Sequence, residues 1–280
     1  NSVAGNTVLG ESALDASVSG GSNTAIGKNA LTSNTSGASN TALGLSSLFS
    51  NTTADNNTAI GTNTLLVNTT GSNNTAVGFT SLSANTTGGF NVAVGANALD
   101  ANLTGSQNTA IGENSLTNNT ASDNTAVGRD SLRDNTSGNH NTAVGKDALE
   151  LNTTGAENTA VGAKALDANT TASGGAAFGL GALGANTTGA ENTALGASSM
   201  QQNSTGASNV AVGNQALKSN TTASDNTAVG YKSLLSNTTG NSNVAIGFEA
   251  LKDSTTSSNN TALGYKSLLS NTTGNSNVAV

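Results

Sequence analysis

The sequence predicts an all-β solenoid of about 17 residues per coil, spanning residues 1–280 as a single repetitive segment. Three observations carry the prediction. A five-residue motif, Asn-(Thr/Val)-Ala-(Val/Ile/Leu)-Gly, recurs along the whole chain, as at Asn91-Val92-Ala93-Val94-Gly95. Its copies begin at Asn6, Asn23 and Asn40 and return at that same interval as far as Asn277. One step, from Asn108 to Asn124, is a residue shorter, and one copy, at Gly175, lacks its Asn. Whole columns of the aligned units share one residue identity. A constant short period over an entire chain is the signature of stacked repeats, each of which contacts mainly its neighbours.

Composition narrows the classes. Hydrophobic residues make up 34% of the chain, aromatic residues 2%, and Trp is absent, which argues against a thick globular core. Disorder is disfavoured too, because disordered chains are rich in Pro and charge. Here Pro is absent and charged residues are 9%. The net charge of −7 disfavours nucleic acid, which needs clustered Lys and Arg. No apolar run approaches the roughly 20 residues that cross a bilayer as a helix, so no direct membrane insertion is expected in this segment. With no Cys, there are no disulfides or thiolate metal sites.

Numbering the motif Asn as position 1, the unit reads N-T-A-V-G-x-x-(A/S)-L-x-x-N-T-T-G-x-x. Position 5 is Gly in all sixteen units that reach it, including Gly95, Gly112 and Gly230. Position 9 is Leu in fifteen of sixteen, among them Leu99 and Leu234, with Met200 the exception. Position 3 is Ala except at Val8, and charged residues fall in the x positions, which reads as solvated corners. The motif alternates as a strand does, so positions 2 and 4 share one face and position 3 the other. Strictly apolar position 4, including Val94, is expected in the core. A second short extended piece is expected at positions 8 and 9. Turns with positive φ are expected at position 5 and within positions 13 to 15, where Gly tolerates them.

Short strands at fixed intervals fit either hairpins or coils. Tight hairpins favour Asn-Gly or Asp-Gly, and neither dipeptide occurs. Coils stack each residue on its counterpart, which accounts for the column identities, and sixteen coils at about 4.8 Å each would make a rod roughly 77 Å long. The absence of Pro suits coils that must donate N–H groups to their neighbours. One coil buries too little to stand alone, so polar ladders are expected to help, especially stacked Asn at positions 1 and 12 (Asn51, Asn68, Asn85). Two coils are irregular: 108–123, one residue short in its turn, and 173–183, rich in Gly and Ala, with Phe178 expected inward. The chain stops at Val280, one residue short of the motif Gly, which suggests a segment of a longer repetitive protein.

The copies at residues 1–5 (NSVAG), 91–95 (NVAVG) and 243–247 (NVAIG) resemble the head repeats of trimeric autotransporter adhesins. The longer unit at 226–240 (NTAVGYKSLLSNTTG) is similar to the repetitive shafts of bacterial surface fibres and phage tail fibres. The resemblance implies a left-handed β-roll that forms homotrimers or fibres. It also implies an extracellular place, on a cell surface or a virion appendage.

Chemistry-bearing residues are few. His140 is the single His and lies in a variable turn position. The acidic residues lack the Asp-rich spacing of calcium loops. No catalytic residue, metal or cofactor is expected, and the chain reads as a non-enzyme. Tyr231, Phe248 and Tyr265 occupy position 6 of three successive coils, an aromatic ladder that could serve as a surface contact. The Asn-Thr-Thr turns match the N-glycosylation acceptor pattern. Two functions follow as expectations. One is a structural and adhesive fibre segment acting as spacer and multivalent contact, with surface glycans or host receptors as candidate partners. The other is an ice-binding solenoid using stacked Thr at positions 13 and 14 (Thr52, Thr53, Thr69, Thr70, Thr86, Thr87).

Overall fold

The computed structural model describes residues 5–16 and 18–280. The motif copy at 1–5, Gly5 apart, and Ser17 lie outside the described residues. The chain is all-β and solenoidal, each coil of about 17 residues resting on the next, and no helix occurs among the described residues. It divides into two compact units, Asn1–His140 and Asn141–Val280. The first carries strands β1 (Thr7–Leu9) to β8 (Thr125–Val127), and the second carries β9 (Thr142–Val144) to β17 (Val278–Ala279).

Each coil has one strand of at most three residues, covering positions 2 to 4. Strands pair in parallel with the residue one coil away: Thr41 with Thr58, Ala42 with Ala59, Leu43 with Ile60. Outside the strand the pairing continues through the turns. In the coil from Asn40, Thr41 N–H and Leu48 N–H donate to Asn57 O (2.8 Å) and Thr64 O (3.0 Å) of the following coil. Gly44 N–H and Ser46 N–H donate to Ile26 O (2.9 Å) and Lys28 O (2.9 Å) of the preceding one. Backbone groups are therefore satisfied in both directions along the stack, as buried peptide groups must be.

Which face lies inside differs from the expectation. Position 3 points inward, and Ala93 and its equivalents from Ala25 to Ala262 are fully buried. Position 4 points outward: Val94 is half-buried, while Leu43, Leu195 and Phe178 are 43%, 49% and 40% exposed. The interior of so thin a coil holds one large side chain, the buried Leu of position 9, and that leaves room for only Ala opposite. The bulkier aliphatic residues, Phe178 among them, stand outside. Positions 8 and 9 are not extended either. They form a turn in which Leu99 (φ 56°) and Leu234 (φ 49°) adopt the left-handed conformation, which costs an L-residue with a Cβ about 1–2 kcal/mol. The Gly of position 15 has no positive φ, and the left-handed residues sit instead at positions 5, 7, 9 and 17.

At position 5 Gly is required twice over. Gly95, Gly112 and Gly230 have φ of 140°, 139° and 131°. A Cβ added to them would lie 2.4, 2.5 and 2.4 Å from the carbonyl oxygen of the Gly one coil on.

The rest of the core is polar. Position-12 amides form a chain in which Asn51, Asn68, Asn85 and Asn102 each donate Nδ2–H to Oδ1 of the Asn one coil before, at 3.0, 3.0, 2.8 and 2.9 Å. The second unit repeats it from Asn169 to Asn237. Position-1 Oδ1 accepts the backbone N–H of the next coil's Asn, as in Asn57 N–H to Asn40 (2.9 Å). Both Asn side chains of a coil converge on its position-15 carbonyl: Asn23 and Asn34 donate to Gly37 O, each at 2.9 Å.

The shortened coil at 108–123 interrupts this order. Lacking one turn residue, it keeps the usual bond from Asn119 Nδ2 to the carbonyl that closes the turn, Ala121 O (2.8 Å), but not the bond to the Asn one coil before. Asn102 Oδ1 is left as the one buried side-chain N or O atom without a hydrogen-bond partner among the described residues.

Two outcomes follow. Gly95→Ala is expected to destabilise the surrounding coils by about 3 kcal/mol or more, combining a forbidden φ with a backbone collision. The loss should appear as reduced hydrogen-exchange protection centred on residues 78–112. Inserting a Thr between Thr120 and Ala121 restores the regular coil length. It should supply Asn102 Oδ1 with its donor and add about 1 kcal/mol, seen as increased protection of the coils on either side.

Candidate functional site

With its amides and backbone committed internally, a coil offers only its outward positions for contact. Two outward arrangements stand out, the strand face and the position-6 ladder.

The strand face presents position 2, mostly Thr and half-buried, beside the aliphatic residue of position 4. Neither position carries a charged residue anywhere in the chain. Between Thr7 and Thr75 position 2 is Thr in five successive coils. Those five hydroxyls have no hydrogen-bond partner among the described residues. Val92 ends that run within the first unit, and in the second unit the row is broken by Ala176, Val210, Val244 and Val278.

The Thr columns singled out for ice behave differently. Position-13 hydroxyls are consumed by the fold: Thr35, Thr52, Thr69 and Thr86 donate Oγ1–H to the next coil's position-13 carbonyl at 3.0, 3.2, 3.0 and 2.9 Å. Position 14, with Thr53, Thr70 and Thr87, is exposed but forms a lone row on a turn. Positions 13 and 14 therefore make no two-column array of free hydroxyls.

At position 6, Tyr231 and Phe248 stack with ring centroids 5.3 Å apart and planes 23° from parallel, and Phe248 and Tyr265 stack at 5.3 Å and 15°. Lys232 Nζ lies 5.0 Å from the Tyr231 centroid and Lys266 Nζ 5.2 Å from that of Tyr265. Glu249 pairs with Lys252 (3.2 Å) and Lys266 (3.7 Å). Because the rings face one another, the ladder shows mainly edges to solvent. Outward Ile246 and Leu263, on the coils of Phe248 and Tyr265, and Val278, on the coil that follows, are 37%, 46% and 76% exposed and add to the apolar surface of this unit.

Other features are weaker. The irregular coil leaves a surface notch of about 270 Å³ where Gly181 and Gly184 lack side chains, walled by Lys164, Asp167 and Gln201. Burial pushes the Asp167 carboxyl above its ordinary range, opposed by the nearby Lys164 ammonium. His140 is exposed, with φ of 56°. Among the described residues no group of three or more His, Cys, Asp or Glu could hold a metal ion, and no helix is long and apolar enough to cross a membrane.

The Asn-Thr-Thr turns are closed to modification. Their Asn side chains, such as Asn51, Asn68 and Asn85, are fully buried, with Nδ2 donating to both a neighbouring amide and a carbonyl. Acceptor patterns with an exposed Asn occur at Asn56, Asn73, Asn118 and Asn259, each followed two residues later by Thr. Matching the pattern while ignoring the period would have found them.

Compared with models of known protein families and with curated proteins, the chain matches none. Secretion from a glycosylating host is expected to yield folded protein with glycans confined to the four exposed positions, as mapped by peptide mass spectrometry. Folded product carrying a glycan at Asn68 would contradict the buried amide chain.

Proposed function

We propose that the chain is a non-enzymatic segment of an extracellular fibre, on a cell surface or virion appendage, working as a stiff spacer and a multivalent contact. The observation that supports this most directly is the strict coil-to-coil register. It repeats the same outward positions at each storey, so feeble individual contacts multiply when their spacing matches a target, such as surface glycans or a host receptor. The polar interior supports the spacer role, because coils are bonded to their neighbours through backbone and amide alike.

Self-association, with a homotrimer as the arrangement, is assigned to the apolar surface of the second unit around Tyr231, Phe248 and Tyr265. Rings whose faces already stack on each other have little face left for a sugar, but their edges and the adjoining Ile246, Leu263 and Val278 suit burial against another copy. Replacing Tyr231, Phe248 and Tyr265 together by Ala is expected to weaken association at least tenfold, about 1.4 kcal/mol, in sedimentation analysis, with circular dichroism unchanged. A wild-type chain that stays monomeric at all accessible concentrations would remove the assembly part of the reading.

A further inference from the structure

We infer that the strand face of the unit Asn1–His140 binds ice, through the paired columns Thr7, Thr24, Thr41, Thr58, Thr75 and Leu9, Ile26, Leu43, Ile60, Val77. This goes beyond the fibre reading and rests on different residues.

The first ground is the state of the hydroxyls. Position-13 Thr hydroxyls are spent on neighbouring carbonyls, whereas the five on the strand face have no partner among the described residues. Water must satisfy them. They recur in parallel register, each Thr paired with the Thr of the adjoining strand. At about 4.8 Å between strands they are too far apart to bond one another, so each anchors its own water in a regularly spaced row.

The second ground is the neighbouring column. Two residues along a strand, about 6.6–6.8 Å away, stands an aliphatic side chain. Leu9, Leu43 and Ile60 are 68%, 43% and 36% exposed. Water above these residues finds no protein partner and must bond sideways to other water. A row of fixed anchors alternating with a row that forces lateral bonding favours a lattice, and both repeats are of the order of oxygen repeats on ice surfaces. No charge interrupts either column to hold a competing hydration shell.

The third ground is rigidity. Eight of the ten residues are Thr, Ile or Val, which are stiff at χ1, so most of the face arrives ordered and little side-chain freedom is lost on binding; Leu9 and Leu43 are the exceptions. A protein partner suits it less well, since each buried hydroxyl left unpaired costs about 1–3 kcal/mol, whereas ice offers water at every one. The second unit provides a contrast. From Val210 to Val278 alternate coils have Val in place of Thr, beside the aromatic ladder.

The test uses the full chain, measuring thermal hysteresis and inhibition of ice recrystallisation. Wild type is expected to show both. Thr41→Lys with Thr58→Lys, which places two charges amid the array, is expected to reduce activity at least tenfold, while Thr53→Lys on the exposed turn leaves it unchanged. Circular dichroism checks that every variant is folded, and Thr41→Val with Thr58→Val, matched in shape, gives a second reading of hydroxyl loss without risk to packing. Folded wild type without either activity overturns the inference. So does full activity in the Lys pair, or a Lys pair whose main effect is a change of oligomeric state, which would make this face a contact between copies.

Discussion

The structure depends on buried carboxamides that hydrogen-bond from coil to coil in runs, Asn51 to Asn102 in one unit and Asn169 to Asn237 in the other. A coil with one Leu, one Ala and a second small residue (Ala, Ser or Thr) inside cannot hold its whole length of backbone in place by hydrophobic burial alone. Asn at positions 1 and 12 supplies what is missing. Each amide spends its donors and acceptor on groups that would otherwise be buried and unpaired, and it does so between coils as well as within them. A satisfied buried polar network of this kind specifies one register, because a shift by a single residue would orphan every amide at once. That fixed register sets each outward residue beside its counterpart one coil away.

The chain tolerates departures from this rule unevenly. At Gly175 the Asn is gone, yet the backbone N–H still reaches Asn158 Oδ1 at 2.8 Å, so the preceding amide keeps its partner. At the position-12 site Ser254 takes over and bonds Ser257, ending the amide chain of the second unit locally. The shortened coil is the harsher case, since with a turn residue missing Asn119 keeps its within-coil bond to Ala121 O but leaves Asn102 Oδ1 bare. Losing a side chain is absorbed, whereas losing a residue displaces a donor.

Much of this was legible in the sequence. Period, coil length, parallel stacking of like on like, the buried Leu, the amide ladders and the aromatic ladder all follow from column identities. The outward turn of position 4 did not, because apolarity is a poor guide when the interior is narrow. Ala93 identifies the inside better than Val94, since only a residue that never grows marks a tight place. The left-handed Leu99 and Leu234 were hidden because nothing in a Leu announces positive φ, and only the surrounding stack imposes it. The state of the Thr hydroxyls was hidden for a related reason: sequence shows where they recur but not that those of position 13 are engaged by the next coil's carbonyl.

The amide chains also have a direction. From Asn51 to Asn102, and again from Asn169 to Asn237, each position-12 Nδ2–H points to the oxygen of the coil before it, and none points forward. A stack so built is polar in the sense that a magnet is: one extremity of the amide row presents an acceptor and the other a donor. Aligned bonds polarise one another, so the asymmetry strengthens with length. A further coil of the same chain therefore continues the amide row in one sense only, its donor meeting the acceptor of the coil before it.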